Sequence, residues 1–105
     1  MNEARIVRLR QFLEKDPDDS FSRYALALEY AGQGKTETAV ETFLEVLRRD
    51  PRYVPAYQHL GYTYLKLGRR DEAAAIFRQG IEVAGQQGDT HARSEIQDAL
   101  GEMEM

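Results

Sequence analysis

Apolar side chains recur every three to four residues along this chain, a spacing that places them on one face of an α-helix. The first long stretch follows Asp18, Asp19 and Ser20, which are suited to capping a helix, and stops at Gly32 and Gly34. Its apolar positions include Phe21, Tyr24, Ala27, Leu28, Tyr30 and Ala31. The pattern predicts a helix that packs through one face.

Three more helices follow by the same spacing. Residues 36–49 form the second, which ends before Pro51 because a proline ring cannot continue a helix. Residues 54–67 form the third, which stops at Gly68, and residues 70–84 form the fourth. Gly85 and Gly88 are predicted to end this fourth helix.

The chain repeats itself with a period of 34 residues. Asp-Pro occurs at residues 16–17 and again at residues 50–51. Aligning residues 18–51 with residues 52–85 leaves five identities, which are Leu26/Leu60, Tyr30/Tyr64, Gly34/Gly68, Ala39/Ala73 and Phe43/Phe77. Identity confined to apolar, aromatic and small residues indicates two units that share a packing scheme but no surface.

Small residues occur where two helices of a unit must approach closely. Ala27 and Gly61 lie in the first helices, and Ala39, Ala73 and Gly80 lie in the second helices. A larger side chain at these positions would push the helix axes beyond their usual separation of about 8–10 Å. Phe43 and Phe77 are predicted to fill the wedge between units, so that each unit is a helical hairpin that stacks on its copy.

This pattern resembles the tetratricopeptide repeat, whose 34-residue signature carries W-x-x-L-G-x-x-Y followed by Ala, Phe and Pro. In the first unit the signature positions hold Leu26, Ala27, Tyr30, Ala39, Phe43, Val46 and Pro51. In the second unit they hold Tyr57, Leu60, Gly61, Tyr64, Ala73, Phe77 and Gly80. Two positions depart, because Arg23 stands where a large aromatic is expected and Gly85 replaces the closing proline.

The flanking segments fit as half units. Residues 2–15 place Leu9 where Phe43 and Phe77 fall, which predicts an N-terminal capping helix, and residues 89–103 carry one apolar stripe, which predicts a C-terminal capping helix. That stripe consists of Ala92, Ile96, Ala99, Leu100 and Met103. We expect one all-α domain over residues 1–105, with repeat units 18–51 and 52–85 and about six helices in a right-handed superhelical stack.

Composition and charge narrow the possible functions. The absence of cysteine excludes disulfide frameworks, thiol catalysis and cysteine-ligated zinc. We read no secretion or membrane-anchoring signal, and we expect a cytoplasmic protein. The net charge is −4, with +2 on residues 1–15 and −4 on residues 86–105. A chain without a basic stripe is a poor partner for phosphate backbones, so we expect no nucleic-acid partner and no membrane partner.

No arrangement typical of catalysis or metal binding is found. His59 and His91 are the two histidines, and neither belongs to a ligand motif such as HExxH. Asp16, Asp18 and Asp19 lack the pattern of a calcium loop and are explained by helix capping. The glycines match no phosphate-binding loop or nucleophile elbow. We therefore predict no catalytic residue, no metal, no cofactor and no enzymatic activity.

The resemblance implies that the first helix of each unit lines a concave groove. The groove residues would be Tyr24, Leu28, Gln58, His59, Tyr62 and Leu65. Aromatic and apolar side chains in such a strip favour binding of a peptide or helix from another protein. In one alternative, Tyr24 and Leu28 are covered by the N-terminal helix or by a second copy of the chain. In the alternative function, the chain is a self-associating module, a homodimer paired through the face of the C-terminal helix or through the groove itself.

One ligand class known in the family is excluded by the residues present. Tetratricopeptide domains that bind the C-terminal carboxylate of heat-shock chaperones use Lys, Asn and Arg side chains on the groove helices. The corresponding positions here hold Tyr24, Leu28, His59, Asp89 and Arg93, of which only Arg93 matches. Because Asp89 would repel a carboxylate, we expect no such clamp, and the identity of the partner stays open.

Overall fold

The computed structural model describes residues 3–105, and over that range it contains six α-helices and no β-strand. The helices are α1 (Glu3–Lys15), α2 (Ser20–Gly32), α3 (Thr36–Arg49), α4 (Val54–Lys66), α5 (Arg70–Gln86) and α6 (Thr90–Met103). The all-α prediction is confirmed. The predicted N-terminal helix also included residue 2, which lies outside the described residues. The unit boundaries at residues 18–51 and 52–85 stay a prediction.

The helices form a single stack in which each packs on the next along the chain. In addition, α2 contacts α4 and α4 contacts α6, so these three helices share one side of the stack. The largest side chains that are fully buried are Phe43, Phe77, Leu60, Ile96 and Val46. Phe43 and Phe77 thus fill equivalent interior positions 34 residues apart, as the repeat predicts.

The glycine position shared by the two units forms the turn inside each hairpin. Gly34 and Gly68 have φ angles of 79° and 73°, a left-handed conformation that glycine adopts without steric cost. After each glycine the chain reverses through the same contact, because the amides of Lys35 and Arg69 donate to the carbonyls of Tyr30 and Tyr64 at 2.9 Å. The identity of Gly34 and Gly68 therefore reflects one turn geometry used twice.

The prediction that Gly85 ends the fourth helix is wrong. Helix α5 continues through Gly85 to Gln86, and the turn occurs at Gly88, which has a φ of 71°. Gly85 keeps a helical conformation, and a Cβ there would lie 3.8 Å from Arg93, in ordinary contact. Because α5 is longer than α3, α6 begins at Thr90, which is 36 residues after the start of α4. Ile96 consequently takes the fully buried place that Leu60 holds in α4.

Arg23, the residue that departs from the repeat signature, makes the hydrogen bond that Tyr57 makes in the second unit. Its Nη1 donates to the carbonyl of Pro17 at 2.6 Å, and the Tyr57 hydroxyl donates to the carbonyl of Pro51 at 2.6 Å. Donors and acceptors are both 34 residues apart. Burial lowers the pKa of the Arg23 guanidinium, and the neighbouring Arg49 lowers it further. The first unit therefore satisfies the same carbonyl with a cation.

Candidate functional site

The side of the stack shared by α2, α4 and α6 forms the candidate groove. Of the six predicted groove residues, Tyr24 and Leu28 lie on α2, and Gln58, His59, Tyr62 and Leu65 lie on α4. Tyr62 is exposed, with 42% of its surface accessible, and the other five are partly buried. Helix α6 forms the third wall, and none of its residues was among the predicted groove residues.

Tyr24 and His59 join α2 to α4 at the base of the groove. The Tyr24 hydroxyl oxygen lies 3.0 Å from His59 Nδ1, which is also 3.3 Å from the Pro55 carbonyl oxygen. The Tyr24 ring contacts Tyr53 at 5.3 Å between centroids and His59 at 5.6 Å. Burial raises the pKa of Tyr24, so its hydroxyl stays protonated and donates to Nδ1 in the tautomer that carries its proton on Nε2. In that tautomer Nδ1 has no proton for the Pro55 carbonyl, and the Tyr24 hydrogen bond and ring contact orient the imidazole.

A cavity of about 170 Å³ opens between α2 and α4. Its lining consists of Leu28, Ala31, Phe43, His59, Tyr62, Thr63 and Lys66. The His59 ring stacks over Phe43 at 6.5 Å, so an aromatic surface forms the floor. Lys66 supplies a cation beside a lining that is otherwise largely apolar. The cavity is large enough for one apolar side chain of a partner, and Lys66 offers a position for a partner carboxylate beside it.

A second cavity of about 410 Å³ lies between α4 and α6. Its lining consists of Tyr62, Leu65, Arg70, Ala99, Glu102 and Met103. Tyr62 lines both cavities and therefore forms a ridge between them. The Tyr62 ring packs edge-on against Phe77 at 5.7 Å, and Gln58 Nε2 donates to the Tyr62 hydroxyl at 3.1 Å. The exposed ring is thus held on both sides before any partner binds.

The structure brings four of the predicted residues to the cavities and gives the other two supporting positions. Leu28, His59 and Tyr62 line the first cavity and Leu65 lines the second, whereas Tyr24 and Gln58 line neither. Sequence reasoning missed seven lining residues, which are Phe43, Thr63, Lys66, Arg70, Ala99, Glu102 and Met103. Helical spacing gave a signal for two of them, since Thr63 lies four residues after His59 and Lys66 lies four residues after Tyr62.

The described residues hold no group of three or more His, Cys, Asp or Glu side chains arranged to bind a metal ion. Two aspartates singled out in the sequence cap helices, because Asp19 accepts from the Ser22 amide and Asp89 accepts from the Ala92 amide, each at 3.1 Å. The hydrogen bonds from Ser22 lower the pKa of Asp19. Among the helices of residues 3–105, none has the length and apolar character needed to cross a membrane.

Comparison with known proteins gives consistent matches. A family model described as tetratricopeptide repeat matches residues 1–82. A TPR repeat-containing thioredoxin of Arabidopsis thaliana, TTL4, is 37% identical over 70 residues, which are 67% of this chain and 10% of that protein. The chain therefore spans about a tenth of the length of this curated relative.

Solved structures show the same architecture. A tetratricopeptide repeat domain protein from Salinibacter ruber is 44% identical, with a TM-score of 0.79 over 83% of this chain and 88% of that one. A protein from Bordetella parapertussis is 28% identical, with a TM-score of 0.80 over 92% and 84%. The TPR2B domain of yeast Sti1, solved as a complex with pHsp70, has a TM-score of 0.85 over 90% and 76%, and at 14% identity this likeness shows the fold alone.

Proposed function

The chain belongs to the tetratricopeptide repeat family, and we propose that it is a protein-binding module whose concave groove holds a peptide segment or helix of a partner. Domains of this family are generally scaffolds for contacts between proteins and not enzymes. The observation that carries the proposal is the pair of adjacent cavities divided by the exposed Tyr62 ring. We further propose that the protein has no catalytic activity and that it is located in the cytoplasm.

Binding would use one apolar partner side chain on each side of Tyr62. The ring is already held by Phe77 and Gln58, so little side-chain entropy is lost when a partner covers it. Lys66 beside the first cavity and Arg70 and Glu102 beside the second offer charged partners for the backbone or polar side chains of the ligand. A preformed groove of this size supports micromolar affinity, about −8 kcal/mol.

A peptide that ends in a free carboxylate is a poor ligand for this groove. A carboxylate clamp needs several converging donors, and the corresponding positions here hold Tyr24, Leu28, His59 and Asp89 beside the single cation Arg93. The Tyr24 hydroxyl is already paired with His59, and the Asp89 carboxylate caps α6. The chemistry of the groove favours apolar anchors over a terminal carboxylate.

A peptide selection followed by matched substitutions tests the proposal. Peptides would be selected from a displayed random library on the immobilised chain, and their affinities measured by calorimetry for Tyr62→Ala, Leu28→Ala and Leu44→Ala. Leu44 is the control because it is 42% exposed, like Tyr62, but lies on α3 outside both cavities. We expect the two groove variants to bind at least about tenfold more weakly. If all three variants kept the affinity of the wild type, the binding surface would lie elsewhere.

Self-association is the alternative prediction for the same apolar surface. Light scattering at about 10 and about 300 μM separates the two, because a module with a free groove keeps a mass near 12.0 kDa at both concentrations. A mass that doubles at the higher concentration, and that returns to one chain with Tyr62→Ala, would favour the homodimer.

A further inference from the structure

Helix α1 carries a face that complete units bury. By the 34-residue period, Arg5 and Phe12 correspond to Ala39 and Val46 of α3. Ala39 and Val46 are fully buried, whereas 51% of the Phe12 surface and 55% of the Arg5 side chain are exposed. Gly80, which is equivalent to Val46 in the second unit, faces the first helix of its hairpin, because a Cβ there would lie 2.7 Å from Tyr57 Cβ of α4. Within residues 3–105, α1 packs on α2 and no other helix covers this face.

This exposed face combines an aromatic side chain with cations. Ala4, Arg5, Arg8, Leu9 and Phe12 line a shallow cavity of about 370 Å³. At about 100° per residue, Arg5, Arg8, Phe12 and Lys15 fall within one quadrant of the helix. The acidic residues of α1, Glu3 and Glu14, fall on the opposite side by the same geometry. We call Ala4, Arg5, Arg8, Phe12 and Lys15 the α1 face.

The residue types on the α1 face determine which helix it can accept. Ala39 and Ala73 are fully buried in their hairpins, so small residues at this position allow close helix packing. Arg5 at the same position holds an incoming helix further away, and its guanidinium pairs with Glu29 of α2 at 3.0 Å. Arg8 and Lys15 are exposed, and they are the cations that an incoming helix would meet. A helix with acidic side chains beside its apolar stripe would be complementary in both shape and charge.

We propose that the α1 face binds an amphipathic helix of a partner protein whose apolar stripe is flanked by carboxylates. The helix lies where complete units hold their first helix, with an apolar side chain against Phe12 and Leu9 and carboxylates against Arg8 and Lys15. This interface is separate from the groove at Tyr62, and each can bind without the other. The face is a poor site for nucleic acid, because its three cations neutralise few phosphates.

A charge-swap experiment tests the proposal. The probe is a synthetic 18-residue amphipathic helix with leucine on one face and flanking glutamates, and its partner probe has lysines in place of the glutamates. The protein variant is Arg8→Glu with Lys15→Glu, which leaves the Arg5–Glu29 pair intact. We expect the acidic helix to bind the wild type and to bind the variant at least about tenfold more weakly, and the basic helix to show the reverse preference.

Two further variants keep the outcome decisive. Phe12→Ser should weaken binding of the acidic helix without loss of helicity, because Phe12 is half exposed. Tyr62→Ala should leave that binding unchanged, so that failure at the α1 face and failure of the groove proposal are distinguishable. Acidic-helix binding that survives Arg8→Glu with Lys15→Glu, or that is lost with Tyr62→Ala, overturns the proposal. The proposal is also overturned if the acidic helix does not bind the wild type. In that case, vesicles of phosphatidylserine that bind the wild type but not Arg8→Glu with Lys15→Glu would indicate a membrane partner, and a concentration-dependent mass that this variant abolishes would indicate a second copy of the chain.

Discussion

Replacement of Gly61 by alanine tests the close packing inside the second hairpin. A Cβ built on Gly61 lies 2.2, 2.5 and 2.6 Å from three ring carbons of Phe77. The Phe77 ring is fully buried, so it cannot move away without displacing other core side chains. Overpacking of this kind costs about 1–3 kcal/mol, and the better helix propensity of alanine offsets about 0.5–1 kcal/mol. We expect a net loss of up to about 2.5 kcal/mol.

Gly101→Ala is the matched control, because Gly101 also lies in a helix and a Cβ there meets no atom within 4 Å. It should be neutral or should stabilise by up to about 1 kcal/mol. Thermal unfolding followed by circular dichroism measures both variants, and for a domain of this size 1 kcal/mol shifts the Tm by about 4–8 °C. A Gly61→Ala protein as stable as Gly101→Ala would refute the packing described for α4 and α5.

Three further predictions concern the two repeat units. The Gln33 side-chain amide is buried without a hydrogen-bond partner, whereas Leu67 packs on the core at the equivalent position of the second unit. Gln33→Leu should therefore stabilise the fold by about 1–3 kcal/mol in urea denaturation, and an unchanged midpoint would contradict this. Arg23→Ala should destabilise by about 1–3 kcal/mol in the same assay, whereas Arg23→Tyr should stay near the wild type because Tyr57 makes the equivalent hydrogen bond; equal losses would argue against this role. Hydrogen bonds from Arg48 and Arg49 hold the pKa of Glu45 at about 2, below its ordinary 4.5, so this carboxylate stabilises the fold above pH 4.5 and the effect is lost as the pH falls towards 2. The difference in Tm between the wild type and Glu45→Gln should therefore shrink between about pH 6 and about pH 2.5, and a constant difference would contradict the assignment.

The fold follows from the sequence because the repeat identities are also the packing contacts. Phe43, Phe77 and Leu60 are fully buried, and Gly34 and Gly68 form equivalent turns. Periodicity identifies such positions without knowledge of any surface residue. The error at Gly85 has a local cause, because the residue type alone does not determine whether a glycine ends a helix or continues it. The longer α5 shifts α6 out of the 34-residue period, and only the structure shows this shift.

The groove was predictable in location but not in detail. Tyr62 and Leu28 follow from the first-helix positions of the repeat. The pairing of Tyr24 with His59 depends on the distance between two helices, which residue spacing within one helix does not determine. Arg70 and Met103 reach the second cavity from α5 and α6, so their role depends on the crossing of three helices. Long side chains such as these can reach surfaces beyond the face that helical spacing assigns to them.

The binding surface itself is tested most directly by NMR. A peptide selected on the chain would be titrated into ¹⁵N-labelled protein, and amide chemical-shift changes would be mapped on the structure. Binding in the groove predicts the largest changes around Leu28, His59, Tyr62 and Leu65, continuing to residues 99–103 of α6, and little change around Leu44 of α3. Changes confined to the outer surfaces of α3 and α5, with the amides around Tyr62 unmoved, would contradict the groove as the binding site.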